Sequence, residues 1–132
     1  MAPPRDLNAL APRVWSRTVA RGAGGELTVG GVGVRQLAEE FGTPAYVLDE
    51  EDFRARCRAW RTAFGGDADV FYAGKAFLCR AVVRWLREEG LNLDVCSGGE
   101  LAVALAAGMP PERIALHGNN KSAAEIDQAG AA

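Results

Sequence analysis

Apolar positions along this chain alternate between short β-prone runs and stripes with helical spacing. Val70-Phe71-Tyr72-Ala73 is a compact apolar run and reads as a buried strand that ends at Gly74-Lys75. The segment from Phe77 to Glu89 places Leu78, Ala81, Val82, Trp85 and Leu86 on one face at three- and four-residue intervals, and Gly90 stops it. Leu91-Asn92-Leu93-Asp94-Val95 then reads as a second strand. Strand, helix and strand at this spacing make a βαβ unit, which implies a parallel sheet. The same alternation continues in both directions. Ala45-Tyr46-Val47-Leu48 is expected to be a strand, with Asp49 capping a helix whose Phe53, Cys57, Trp60 and Phe64 form a buried stripe. Arg54, Arg58 and Arg61 fall mostly on the solvated side of that helix. Downstream, a helix ends at Ala107-Gly108, Arg113-Ile114-Ala115-Leu116 is a further strand, and a last helix runs into Gly130.

The first forty-four residues carry weaker patterning. Met1 to Ala23 mixes Pro, Arg and isolated apolar residues and reads as a loosely packed leader. Leu27-Thr28-Val29 is a candidate strand, Gly30 to Gly33 a turn, and Val34 to Phe41 a helix closed by Gly42-Thr43-Pro44. A dinucleotide loop starting at Gly31 fails, because position 36 is Gln.

Composition narrows the class. The 132 residues, 48% hydrophobic and 24% charged, suit one soluble globular domain. A net charge of −2 advertises neither nucleic acid nor an anionic membrane as partner, and no apolar run reaches membrane-spanning length. Cys57, Cys79 and Cys96 are odd in number and form no C-x-x-C, against a disulfide framework or a zinc site and in keeping with a reducing cytoplasm. No metal site is expected.

Candidate chemistry gathers at strand ends. Lys75 and Asp94 both fall at carboxyl ends of predicted strands, the edge where α/β folds place their reactive groups. Of fifteen basic residues only Lys75 and Lys121 are lysine, so thirteen are arginine. A chain that writes Arg so freely and keeps Lys at a strand end points to a need for an amine, since guanidinium stays protonated and forms no ready Schiff base. The alternative is a lysine snorkelling at a sheet edge. A P-loop around Lys75 fails at both ends, with Asp69 and Ala76 where Gly and Ser or Thr are required. Ser97 with Glu100, and Ser122 with Glu125, fit capping boxes. Gly98 and Gly99 occupy helix positions where Gly costs up to about 1 kcal/mol against Ala, so something is expected to approach that backbone closely. The tight turn and helix N-terminus there resemble an anion site. Cys96 reads as a small buried hydrophobe. His117 sits at the same strand edge as Lys75 and Asp94, where a structural role and a functional one both remain open.

Three segments in order carry a family resemblance: Phe71-Tyr72-Ala73-Gly74-Lys75-Ala76, Asp94-Val95-Cys96-Ser97-Gly98-Gly99-Glu100-Leu101 and His117-Gly118-Asn119-Asn120-Lys121-Ser122. In order and spacing they resemble the ornithine, diaminopimelate and arginine decarboxylase family, its diaminopimelate members above all. These are pyridoxal 5'-phosphate enzymes of the alanine-racemase-like barrel type, and the likeness covers the chain from about Leu27 onward. The resemblance implies an α/β fold, the N-terminal portion of a PLP-binding (β/α)8 TIM-type barrel. The leading strands around Leu27 to Leu48 would partly join a second β-domain. Residues 1–44 are then a leader with a short strand and helix, and residues 45–132 the first βα units of an incomplete barrel.

By the same resemblance Lys75 is the Schiff-base lysine. Asp94 and Glu100 match carboxylates that hold its ammonium once substrate displaces it, giving Lys75, Asp94 and Glu100 as catalytic residues. Lys75, His117 and Asn120 are then the cofactor-binding residues. The implied reaction is decarboxylation of meso-diaminopimelate to L-lysine, a step of lysine biosynthesis in which the cofactor ring accepts the electrons left by carbon dioxide.

Such a barrel needs roughly 200 residues or more, and this chain supplies three or four βα units. The family's phosphate loop, the acid facing the pyridine nitrogen and the residues near its dimer interface fall outside it. The expectation is the N-terminal part of a longer cytoplasmic enzyme, homodimeric when full-length, acting on a small amino acid and inactive as this part alone. Alternatives are a non-catalytic PLP-binding barrel protein, a decarboxylase of another basic amino acid, a racemase or an independent interaction module. The leader before Ala45 and the His117-to-Lys121 run argue against the first. A racemase would carry Ala-Asn-Ala-Tyr-Gly where this chain has Ala76-Phe77-Leu78-Cys79-Arg80, and nothing in the sequence supports the module.

Overall fold

The computed structural model describes residue 6 and residues 9–132, so the start of the expected leader (residues 1–5, 7 and 8) lies outside the described residues. The chain divides into two compact units, residues 1–55 and 56–132.

In the first unit, β1 (Ala20–Arg21), β2 (Leu27–Val29) and β3 (Val32–Gly33) form an antiparallel sheet in that order. The leader is therefore not loose throughout, because Ala20 and Arg21 pair with Thr28 and Leu27. Gly30 and Gly31 both take positive φ, 57° and 82°, which a two-residue turn of this hand requires. Helix α1 (Val34–Phe41) starts from Gly33, which has no side chain to cap it. Glu26 does so instead, its Oε1 accepting the Arg35 N–H at 3.1 Å.

Ala45 to Leu48 belongs to no sheet, contrary to the strand expected there, and Tyr46 is 99% exposed. β-prone residues make a strand only where a neighbouring strand accepts their hydrogen bonds, and none among the described residues does. Asp49 does cap α2 (Glu50–Ala63): its Oδ1 accepts the Asp52 N–H at 3.1 Å and its Oδ2 the Thr18 hydroxyl at 2.5 Å. Desolvation raises the Asp49 pKa, but hydrogen bonds from Ser16, Thr18 and Asp52 outweigh it and bring it down to about 2.

The second unit is built on a parallel sheet of β4 (Phe71–Ala73), β5 (Asn92–Val95) and β6 (Ile114–Leu116), with β5 in the centre. Leu93 and Val95 are fully buried while Asn92 and Asp94 are half-exposed, so β5 has one face in the core and one open. Helices α3 (Arg80–Glu88) and α4 (Gly98–Ala106) pack on β5 and on each other, and α5 (Ala123–Gly130) packs on α4. Val82, Val83, Leu86, Leu91, Leu101, Ala104 and Met109 are also buried there. Among these, only Val82 and Leu86 belong to the periodic stripe read from the sequence.

Several expected boundaries and faces shift. The segment after β4 makes a 3-10 turn, Gly74–Ala76, and α3 begins at Arg80 rather than Phe77. Only the first half of the α2 stripe is covered: Cys57 is buried, whereas Trp60 and Phe64 are 59% and 60% exposed and stack on each other with ring centroids 5.9 Å apart. Periodicity shows which face of a helix is apolar, not whether another element lies against it. Arg58 and Arg61 are not simply solvated either, because Arg58 Nη1 pairs with Glu89 Oε1 at 2.7 Å and Arg61 Nη1 donates to the Glu89 carbonyl at 3.0 Å.

The amino edge of the sheet is held by polar contacts that no motif announced. Arg113 Nη2 donates to the Leu91 carbonyl at 2.5 Å and its Nε to Asn92 Oδ1 at 3.3 Å, while Asn92 Nδ2 donates to Asp69 Oδ1 at 2.9 Å. That leaves the carboxyl edge as the place for chemistry. No described helix is long and apolar enough to cross a membrane.

Candidate active site at the carboxyl edge of the parallel sheet

Register decides which side chains meet here. Ala73 pairs with Asp94 and Asp94 with Ala115, so Asp94 sits on the open face of β5 between two methyl side chains. Two residues further on, each strand end carries a functional group: Lys75 after β4, Cys96 after β5 and His117 after β6. The His117 N–H extends the ladder by donating to the Val95 carbonyl at 2.9 Å, and its Nδ1 is hydrogen-bonded to Asp94 Oδ1. A carboxylate only accepts, so Nδ1 carries the proton in this pair and Nε2 faces away from it.

Lys75 lies in the 3-10 turn and is exposed; among the described residues its amine makes neither a hydrogen bond nor an ion pair. Two features fix the turn that carries it. Gly74 is buried, and a Cβ there would lie 3.1 Å from the Asp94 carbonyl oxygen, so a side chain would fit only if β5 gave way by a few tenths of an ångström. On the other side the Tyr72 hydroxyl donates to the Phe77 carbonyl at 2.8 Å and closes the loop around Lys75. Burial pushes the Tyr72 phenol up, which keeps it a donor.

Glu100 and Glu125 take structural duties. Both expected capping boxes form, at Ser97 and Ser122. Glu100 Oε2 accepts the N–H groups of Cys96 at 2.6 Å and Ser97 at 3.1 Å. The Cys96 bond is the main reason that the Glu100 carboxyl lies below its ordinary range, with desolvation opposing. Cys96 is half-exposed rather than buried, and its thiol is raised by its bond to Glu100 first and desolvation next.

The turn read as an anion site already holds an anion. Glu125 Oε1 accepts the Gly98 N–H at 2.8 Å, so α5 supplies a carboxylate to the N-terminus of α4. The close approach expected at Gly98 is this contact, since a Cβ there would lie 3.0 Å from Glu125 Cγ and 3.2 Å from Gln128 Oε1. Gly99 has no such neighbour, its nearest being Ser97 Oγ at 4.0 Å. Nothing in the structure explains the second glycine.

The structure thus brings Asp94 and His117 into contact and sets Lys75 beside them at the same edge. Glu100 faces the backbone of the Cys96-Ser97 turn, and Asn120 lies exposed in the loop after β6. An exposed, unpaired amine at the same sheet edge as a carboxylate with alanine flanks suits condensation with a carbonyl group. These residues fit the carbonyl end of an aldehyde cofactor. For a phosphate they offer no vacant helix terminus at this turn. Among the described residues no three His, Cys, Asp or Glu side chains cluster as metal ligands. Sequence reasoning missed Gly74 and Tyr72 as supports of Lys75; the pairing of a bare residue with a lysine at a strand end was the available signal.

Residues 50–132 match the family model described as the pyridoxal-binding domain of pyridoxal-dependent decarboxylases. A diaminopimelate decarboxylase of Mycobacterium tuberculosis is 58% identical over 124 residues, covering 94% of this chain and 28% of that protein. Among solved structures, AQ1208 from Aquifex aeolicus superposes with a TM-score of 0.78 at 41% identity, over 85% of this chain and 28% of its own. A diaminopimelate decarboxylase of M. jannaschii in complex with L-lysine gives 0.74 at 32% identity, over 88% and 28%. The chain therefore spans about 28% of the length of these relatives.

Proposed function

Because this chain belongs to the pyridoxal-dependent decarboxylases, through their pyridoxal-binding domain, we propose that it supplies the lysine-bearing first part of a diaminopimelate decarboxylase. The reaction is loss of one carboxylate from meso-diaminopimelate to give L-lysine. The observation that carries this reading is the exposed, unpaired Lys75 amine at the carboxyl edge of a parallel sheet, beside the Asp94–His117 pair. The 58% identity to a protein of that name supports the choice of substrate. In the longer protein, β4 to β6 are strands of a closed (β/α)8 barrel, residues 45–132 open it and residues 1–44 precede it. That enzyme is a cytoplasmic homodimer.

Pyridoxal phosphate, when bound, supplies the electron sink for the pair left by departing carbon dioxide. Lys75 Nζ would hold that cofactor covalently, and the Asp94 carboxylate would be the neighbouring acceptor for the Lys75 ammonium whenever Nζ is not engaged with it. His117 holds one Asp94 oxygen through Nδ1 and leaves the other for Lys75. Glu100, ionised and fixed to the Cys96-Ser97 turn, adds negative charge at this edge without moving. His117 Nε2 and Asn120 are left to face the cofactor.

The test is Lys75→Arg in the full-length protein. It keeps the charge and removes the amine, so both the visible absorbance of the lysine-bound cofactor and carbon dioxide release from meso-diaminopimelate should vanish. Wild-type release from ornithine or arginine in preference to diaminopimelate would move the reading to another basic amino acid. A Lys75→Arg variant that kept the absorbance would overturn it.

A further inference from the structure

Lys121 is the only lysine besides Lys75. Its Nζ donates to the Cys96 carbonyl at 2.9 Å, from a position 25 residues away. Gly118, the residue after His117, has φ +125°, and the place where its Cβ would lie is taken by the Lys121 ammonium, with Lys121 Cε 3.5 Å away. The loop from His117 to Ser122 is therefore fastened at three points. His117 N–H holds its start to Val95 at 2.9 Å, the Ser122–Glu125 capping box holds its end, and Lys121 reaches back over Gly118 to the end of β5.

We propose that Lys121 is a positioning residue: its ammonium, seated in the gap left by Gly118 and tied to the Cys96 carbonyl, keeps the His117 imidazole on Asp94. This rests on the Lys75-centred reading for its link to catalysis, but the contact itself does not. Side chains on loops hold a productive geometry only when neighbours lock them, and small displacements lower rates steeply. A gap the size of one missing methyl group admits an ammonium and not the planar fork of a guanidinium. That accounts for the second place where this arginine-rich chain writes lysine.

The experiment uses the full-length protein and Lys121→Met, which keeps an unbranched stem as far as Cε and removes the donor. In cofactor-free protein the His117 imidazole nitrogen signals, identified by their loss in His117→Asn, should move in Lys121→Met toward those of a solvent-exposed ring. With cofactor added, kcat should fall about tenfold or more, KM should stay within about twofold, and Lys121→Arg should not restore the rate. In the wild type, a nuclear Overhauser contact should join the Lys121 Cε protons to the Gly118 Cα protons, a measurement that holds even if the variant misfolds. Wild-type His117 signals and wild-type kcat in Lys121→Met would overturn the proposal, as would absence of the Overhauser contact. A wild type that releases no carbon dioxide would sink the functional reading while the imidazole signals still decide the contact. A normal Lys121→Met rate in an enzyme that Lys75→Arg inactivates would sink the positioning role alone.

Discussion

Glu125 Oε1 accepts the Gly98 N–H at 2.8 Å, so a carboxylate of one helix closes the N-terminus of the helix before it. The same side chain accepts from the Ser122 N–H at 2.9 Å through its other oxygen. These backbone bonds, the Ser122 one first, bring the Glu125 pKa from 4.5 down to about 2. A lowered carboxylate pKa contributes stability above the unfolded value, and that contribution is lost as pH falls through the folded one. Wild type should therefore melt above Glu125→Gln at neutral pH, and the gap should close between about pH 4.5 and 2. A gap that stays constant across that window would show that Glu125 acts by shape and not by charge.

Asp94 and Glu100 separate by what they bond. Asp94→Ala in the full-length enzyme should lower turnover more than it weakens cofactor binding, because the partner proposed for it is the released lysine. Glu100→Gln retains an oxygen for the Cys96 and Ser97 N–H groups and loses the charge. Its turnover should drop, and its melting temperature should fall at neutral pH as well, since the Glu100 carboxyl is also held below its ordinary range by backbone N–H groups. Near-normal turnover in Glu100→Gln would leave that residue only its capping role.

The two adjacent glycines should respond in opposite directions. Gly98→Ala drives a methyl against Glu125 and Gln128 and should destabilise by about 1–3 kcal/mol. Gly99→Ala meets nothing closer than 4.0 Å and should stabilise α4 by up to about 1 kcal/mol. Urea unfolding of both variants checks this, and equal losses would mean that the second glycine answers to something besides packing.

Trp60, Phe64 and Phe71 are all about half-exposed or more, on a unit whose β4 edge has no further strand among the described residues. Apolar surface left in water forgoes about 25 cal/mol per Å², and an open strand edge is a template for pairing. Residues 1–132 expressed alone should therefore associate in sedimentation experiments. They should release no carbon dioxide from diaminopimelate with added pyridoxal phosphate. Trp60→Glu with Phe64→Glu should shift the sedimentation toward monomer. A monodisperse, active wild-type chain would contradict the reading of these faces as unfinished surface.

Much of this molecule is written locally. The run from Val70 to Ala73, the stop at Gly90, the alternation of Leu93 and Val95 with Asp94 and the two Ser-x-x-Glu boxes each act within about four residues. Backbone preference, turn chemistry and caps operate over that range, so strand, helix and strand could be read in order and Lys75 placed at a strand end. The scarcity of lysine singled out the amine before any partner was known.

What the tertiary structure decided lies between residues far apart in the chain. Asp94 meets His117 across 23 residues, Glu125 meets Gly98 across 27 and Lys121 meets Cys96 across 25. Periodicity marked Trp60 and Phe64 as an apolar face, but only packing shows that little covers it; β-propensity marked Ala45 to Leu48, but only pairing makes a strand. A sequence pattern states what a segment offers. Whether a neighbour accepts it depends on register and crossover, which no local preference contains.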